Sequence, residues 1–182
     1  AASVLGRMMI RLCNKEGIPL INIVRRDEQL NDLNALGAKY VLNSSEIDFE
    51  QDLKNLAHEL NATLLLDAVT GDQTELLLNA APYGSKVLIY SNLSEGKITI
   101  DPRLLIQGNK SVSNFYLGNW AKKRSLLQTL KAAKQAQAFS GRELSSQIQK
   151  RFEMENAQQA WEFYLQNMTG GKILLKMDSG LE

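Results

Sequence analysis

Short apolar runs rich in Val, Ile and Leu alternate along this chain with longer segments whose apolar residues return every three or four positions. Runs of the first kind suit buried strands and segments of the second kind suit amphipathic helices, so the alternation predicts a parallel sheet flanked by helices. The first helix is expected to open in Ala1–Gly6 with no strand in front of it. Leu5, Met8, Met9 and Leu12 are its expected core face, and Gly17 is its left-handed stop. Strand Leu20–Val24 then leads to a helix with Asp27 as its expected cap, running through Leu36 and closed by Gly37 ahead of strand Tyr40–Leu42. Phe49, Leu53, Leu56, Ala57 and Leu60 form one stripe of a third helix, which precedes strand Thr63–Leu66. A helix over Thr74–Ala81 halts at Pro82, and Gly84 turns the chain into strand Lys86–Tyr90.

Beyond Tyr90 the pattern loosens. Asn92–Gly96 reads as a turn-rich loop, Lys97–Ile100 as a short strand, and Pro102 as the opening of a short helix through Ile106. Ser111–Leu117 reads as another strand. A long polar helix covers about Lys123–Ala138 with Leu126, Leu127 and Leu130 as its buried face. Leu144–Phe152 is extended, a helix from Asn156 carries Ala157, Ala160, Trp161, Tyr164 and Leu165 on one stripe, and Lys172–Lys176 is a closing strand. The fold class is therefore α/β: a Rossmann-like doubly wound parallel sheet lacking its first strand. Residues 1–140 are expected to form one domain and 141–180 a C-terminal extended segment, helix and strand; Leu181-Glu182 reads as a vector-derived scar.

Composition acts mainly by exclusion. With 21 basic and 20 acidic side chains the formal charge is +1, which gives no electrostatic footprint for nucleic acid or an anionic membrane. The longest apolar runs, such as Pro19–Val24 and Thr63–Leu66, fall far short of the roughly 20 residues a membrane helix needs, and no signal peptide is expected. A single cysteine, Cys13, cannot close an internal disulfide, which suits a reducing compartment: the cytoplasm or the mitochondrial matrix.

The candidate chemistry begins at the helix mouth. A pyrophosphate needs several backbone N–H donors converging on it, and a helix N-terminus supplies them if the approaching residues are small. Ala2, Ser3 and Gly6 meet that demand, although of a full G-x-G-x-x-G fingerprint only the last glycine is present. About twenty residues further on, where an NAD site places an acidic side chain for the ribose 2′-hydroxyl, this chain carries Arg25-Arg26. A guanidinium there suits the 2′-phosphate that distinguishes NADP. Asp27 lies beside them but is read as the helix cap.

Ala2-Ser3-Val4-Leu5-Gly6, Gly17–Arg26 and Leu36-Gly37-Ala38-Lys39-Tyr40-Val41-Leu42-Asn43 together resemble the nucleotide-binding domain of the medium-chain dehydrogenase/reductase superfamily, often labelled zinc-type alcohol dehydrogenase-like. The branch the chain is most similar to is the zinc-independent one of quinone oxidoreductases and 2-enoyl thioester reductases, and within that branch Ile21–Arg25 and Asn114–Lys123 resemble the enoyl reductases most; the resemblance implies that residues 1–140 are the NADP(H)-binding Rossmann domain. The resemblance implies that Ser3, Val4, Leu5 and Gly6 wrap the pyrophosphate of NADPH and that Arg25 and Arg26 meet its 2′-phosphate. It further implies that Ala68, Val69, Tyr90 and Ser91 lie along the dinucleotide, with Phe115, Tyr116 and Leu117 near the nicotinamide. It places the catalytic tyrosine on a barrel domain preceding this one, so no catalytic residue is assigned here. It also implies a small-molecule substrate and a homodimer paired along the edge strand Ser111–Leu117.

Other constellations are missing. One histidine, His58, and one cysteine on separate helices make no metal-ligand set. No tyrosine has a lysine four residues later, as short-chain dehydrogenases require, and no glycine loop carries a Walker lysine. The expected function is the cofactor-binding portion of an NADPH-dependent oxidoreductase acting on an activated C=C bond, in an enoyl thioester or a quinone-like acceptor, the portion by itself being inactive. The alternative is a non-catalytic dinucleotide-binding regulatory module. A methyltransferase on the same architecture would want an acidic residue near position 25, where Arg25 stands.

Overall fold

The computed structural model describes residues 1–141, 143–168 and 170–177. The scar expected at Leu181-Glu182 lies outside them. Strands β1 (Ile21–Val24), β2 (Tyr40–Asn43), β3 (Leu64–Asp67), β4 (Lys86–Ile89), β5 (Ser111–Asn114), β6 (Ile148–Glu153) and β7 (Lys172–Lys176) alternate with helices. The helices are α1 (Val4–Glu16), α2 (Asp27–Ala35), α3 (Phe49–Glu59), α4 (Asp72–Ala80), α5 (Pro102–Ile106), α6 (Leu117–Lys122), α7 (Leu126–Phe139) and α8 (Ala157–Gln166).

Three of these helices stop by the same device. At the end of α1 the amide of Ile18 donates to Cys13 O at 2.8 Å while Gly17 takes φ 68°. After α2, Ala38 donates to Leu33 O at 2.9 Å with Gly37 at φ 92°. After α3, Ala62 donates to Ala57 O at 2.8 Å with Asn61 at φ 48°. A left-handed residue at this position feeds the orphan carbonyls of the last turn, and asparagine is the usual substitute for glycine. The first two stops were expected from the glycines; the third is supplied by a residue whose side chain tolerates the same backbone.

The strands pair as β1 with β2, as a parallel triple β3–β4–β5, and as a parallel pair β6–β7. A doubly wound sheet of order 3-2-1-4-5-6 that lacks its first strand falls into a pair and a triple, which is the grouping seen in the first five strands. The chain forms two compact units, one of residues 1–41 with 133–182 and one of residues 42–132.

In the first unit, Ala2, Ile10, Val24, Leu33 and Ala38 are buried together, with Leu20, Leu30, Leu36 and Val41 packed around them. The buried face of α1 is Ile10 and Cys13. The expected face of Leu5, Met8, Met9 and Leu12 is thus out of phase: Leu5 is exposed and the other three are half-buried. Apolar residues crowd this helix, so hydrophobicity alone did not set its phase. Arg11 donates to Glu143 O at 3.2 Å and Ser145 O at 2.9 Å, and Lys15 pairs with Glu143 at 3.0 Å, which ties α1 to the segment after α7. The β6–α8–β7 crossover buries Ala160 and sets Phe152 against Phe163, the rings tilted by 57° with 5.7 Å between their centres. Trp161 and Leu165, expected on its buried stripe, are exposed.

In the second unit α3 packs on α4. Phe49, Leu53 and Ala57 are buried on α3, Leu77, Leu78 and Ala80 on α4, and Val87 at the centre of β4. Lys110 donates to Leu78 O in the last turn of α4, where a cation suits the helix dipole; burial, and then the nearby Lys54, lower its pKa.

Four further expectations fail. Lys97–Ile100 forms no strand. Asp27 is the first residue of α2 and Arg26 occupies its cap position. The strand expected over Ser111–Leu117 ends at Asn114, and Leu117 opens α6, which the sequence pattern did not suggest. Leu126, Leu127 and Leu130 are 74%, 78% and 55% exposed, so the apolar face of α7 meets solvent in this chain rather than a core.

Candidate functional site

The first part of the site belongs to the unit that carries α1. The terminal nitrogen of Ala1 donates to Ile23 O at 2.8 Å, which lays Ala1-Ala2 along β1 and puts the following turn at the carboxyl end of that strand. Ser3 caps α1, its hydroxyl accepting from Gly6 N at 3.2 Å, and Arg7 N donates to Ser3 O at 2.9 Å. Gly6 sits where no side chain fits: a β-carbon there would come within 1.9 Å of Ala1 O. The first turn of α1 therefore lies directly on the backbone of Ala1, a close approach that only glycine allows. The first turn of α1 carries no acidic residue, whereas α2, α3 and α4 each carry two. The first turns of α5, α6, α7 and α8 also lack acidic residues, so what sets α1 apart is the close contact at Gly6.

Arg25 and Arg26 follow Val24 directly, so both arginines stand at the same carboxyl end of β1 as the Ser3–Gly6 turn, and both are exposed. Gln29 braces the corner, its Oε1 accepting from Arg25 N at 3.1 Å. Arg7, which sequence reasoning passed over, braces the cradle itself. Its Nε donates to Ala2 O at 3.2 Å and its Nη2 pairs with Asp32 of α2 at 3.0 Å.

The remaining candidates belong to the second unit. Because β3, β4 and β5 are parallel, their carboxyl ends lie along one edge and bring the Ala68–Gly71, Tyr90–Gly96 and Phe115–Leu117 segments together there. Ligands of open α/β sheets gather at such an edge. Asp67, fully buried at the end of β3, organises the first segment. Its Oδ1 accepts from Val69 N and Thr70 N, both at 2.9 Å, and its Oδ2 from Thr74 Oγ1 at 2.7 Å. Leu93 N donates to Ala68 O at 3.0 Å and Ser94 N to Val69 O at 2.9 Å, which zips the second segment to the first. With these backbone groups engaged, Ala68 and Val69 present chiefly methyl groups. Tyr90 has its phenol pKa raised by burial and then by the charge of Asp67. Phe115, Tyr116 and Leu117 are 43%, 65% and 65% exposed, an apolar surface at the end of β5.

Of the residues proposed from sequence, then, Ser3, Val4, Leu5, Gly6, Arg25 and Arg26 share one strand end in one unit. Ala68, Val69, Tyr90, Ser91, Phe115, Tyr116 and Leu117 share one sheet edge in the other. Asp67, whose place at a strand end suits a loop or cap residue, is such a residue; what sequence reasoning missed is the polar frame that Thr70, Thr74, Asn92 and Ser94 form with it. Its one legible signal was an aspartate closing a strand before a Thr-Gly turn.

Parallel strands alternating with helices, with a small-residue helix mouth and an arginine pair at the end of β1, define an α/β domain of the doubly wound class. The chain belongs to the zinc-binding dehydrogenase family, whose pattern matches residues 4–132, and so to the medium-chain dehydrogenase/reductase superfamily. It is 27% identical over 124 residues to the mitochondrial enoyl-[acyl-carrier-protein] reductase of Arabidopsis thaliana, covering 66% of this chain and 33% of that protein. It is 32% identical over 129 residues to the same enzyme of Rattus norvegicus, covering 68% and 34%. Among solved structures, a Mesorhizobium loti protein assigned as an NADPH:quinone reductase superposes with a TM-score of 0.77 at 30% identity, over 86% of this chain and 45% of that one. The mitochondrial 2-enoyl thioester reductase heterodimer of Candida tropicalis shares the fold, with a TM-score of 0.75 at 20% identity over 96% and 51%. The chain spans about a third of the length of the curated relatives it matches.

The family's name raises zinc. Among the described residues no group of three or more His, Cys, Asp or Glu could hold a metal ion, with His58 on α3 and Cys13 buried on α1. These residues do not fit a zinc site. Among the described residues, too, no helix is long and apolar enough to cross a membrane.

Proposed function

We propose that this chain is the NADPH-holding portion of an oxidoreductase that reduces an activated C=C bond, in an enoyl thioester or a quinone-like acceptor. The observation that carries the reading is the convergence of the Ser3–Gly6 cradle and the Arg25-Arg26 pair at one strand end. The relatives supply the reaction class. Two are named enoyl reductases, and one is assigned as an NADPH:quinone reductase.

The chain's own residues act by binding, orienting and excluding water. The amides at the mouth of α1 receive the pyrophosphate, and Ser3 and Gly6 keep the approach narrow enough for backbone donors to reach it. Arg25 and Arg26 pair with the 2′-phosphate, a dianionic group that a forked guanidinium matches better than any neutral donor. Ala68 and Val69 offer a smooth wall, Tyr90 and Ser91 extend it, and Phe115, Tyr116 and Leu117 shield the reacting end from water. When bound, the reduced nicotinamide supplies the hydride. The groups that polarise the substrate belong to the rest of the enzyme, so no side chain here is assigned a catalytic step. A second copy pairs along β5, which ends the triple and leaves an edge open to another strand. Of the two compartments expected, the mitochondrial names of the relatives support the matrix.

The division of labour has a direct test. The 182-residue chain mixed with NADPH and a crotonyl thioester, or with a quinone, is expected to leave the nicotinamide absorbance unchanged. Steady oxidation that depends on the acceptor would show that the reacting groups lie within this chain and would overturn the assignment.

A further inference from the structure

Thr70 is the most unusual residue on the carboxyl edge of the β3–β4–β5 triple. It is buried, 3% exposed, and takes φ 65°. A β-branched side chain in the left-handed region is strained, and such strain persists only where the surroundings impose it. Here the surroundings are visible. Its amide donates to Asp67 Oδ1 at 2.9 Å, and its hydroxyl meets Val69 O at 2.5 Å and the side-chain oxygen of Asn92. The same hydroxyl lies 3.2 Å from that of Ser94, which in turn accepts from Gly96 N at 3.1 Å. One hydroxyl thus joins the loop after β3 to two positions of the loop after β4. A glycine at 70 would relieve the backbone but could make none of the three hydroxyl contacts.

We propose that Thr70 is a positioning residue: its hydroxyl clamps the β3 and β4 loops so that Ala68, Val69, Tyr90 and Ser91 hold one shape against the bound dinucleotide. The clamp rests on the dinucleotide reading given above. Its energetic logic is preorganisation, in which strain accepted on folding spares the ordering of two loops on binding. The clamp is built from residues of the 42–132 unit, whereas the α1 cradle and Arg25-Arg26 belong to the other. It therefore acts on the affinity for the whole dinucleotide and not on the adenosine end alone.

That separation provides the experiment. Calorimetry on the 182-residue chain would compare NADPH with 2′,5′-ADP, which carries only the adenosine end, for the native residue, Thr70→Gly and Thr70→Ser. Thr70→Gly is expected to weaken NADPH about tenfold, one lost charge-free hydrogen-bond set, with 2′,5′-ADP unchanged and hydrogen exchange of the Leu93 and Ser94 amides accelerated. Thr70→Ser keeps the hydroxyl and is expected to restore NADPH affinity. Equal NADPH affinity in the native chain and Thr70→Gly would overturn the clamp. A parallel loss of 2′,5′-ADP would show a general structural defect and would also overturn it. A native chain that binds neither ligand would instead overturn the dinucleotide reading on which the clamp rests.

Discussion

Replacing Arg25 and Arg26 together with alanine is expected to weaken NADPH binding about a hundredfold, at roughly 1.5 kcal/mol for each exposed charge-assisted contact. NADH, which has no 2′-phosphate, is expected to bind the double variant as it binds the native chain. The single variants should each lose about tenfold, since both side chains leave the same exposed corner after β1. Added salt should shrink the difference between NADPH and NADH in the native chain and leave the double variant indifferent, because an exposed ion pair is screened over about 10 Å at ordinary ionic strength. Calorimetric titration of both nucleotides checks all of this. If both affinities fall together, the arginines support the fold rather than the phosphate; if neither moves, they lie outside the site.

The second large effect is on stability. Asp67→Ala would strip the acceptor from two amides and a hydroxyl in a buried setting, Val69 N, Thr70 N and Thr74 Oγ1. Each buried donor left without a partner costs about 1–3 kcal/mol, so the variant should lose about 4 kcal/mol and melt about 10 °C lower. Asp67→Asn keeps an oxygen for the two amides and offers an N–H that the Thr74 hydroxyl can accept. It should lose no more than about 1 kcal/mol. Thermal unfolding followed by circular dichroism separates the two. An alanine variant that melts with the native chain would show that water replaces the carboxylate and that the loop after β3 does not depend on it.

Much of the fold was legible because local chemistry and tertiary structure agree there. Pro102 opened a helix through Ile106, and Lys172–Lys176 formed a strand with the expected bounds. Gly17 and Gly37 stopped helices by the one conformation that glycine takes most easily. The failures have equally local causes. Ile98 and Ile100 alternate like a strand, but a strand needs a partner, and among the described residues they form no strand pairing. Phe115, Tyr116 and Leu117 have strand-forming side chains, yet the backbone turns at Tyr116 into α6 despite Gly118. Leu126, Leu127 and Leu130 are correctly spaced for one helix face, and spacing says nothing about whether a partner covers it.

The candidate site divides in the same way. The cradle and the arginines could be proposed from residues adjacent in sequence, small ones for a close backbone and forked cations for a phosphate, and the structure sets both at the carboxyl end of β1. The phase of α1 was not readable, since Leu5, Met8 and Met9 compete with Ile10 and Cys13 for the core and only packing decides. The frame around Asp67 was hidden for a different reason. Thr70 meets Asn92 and Ser94, residues more than twenty positions away, and only the pairing of β3 with β4 brings them near. Thr70 itself breaks a local rule, and local rules fail most informatively where the surroundings impose the conformation.

The account depends most directly on the identity of the nucleotide that this domain prefers. Titrating the 182-residue chain with NADPH and with NADH under the same conditions should show NADPH binding at least about tenfold more tightly, the share of one charge-assisted contact to the 2′-phosphate. Equal affinities, or tighter binding of NADH, would contradict it.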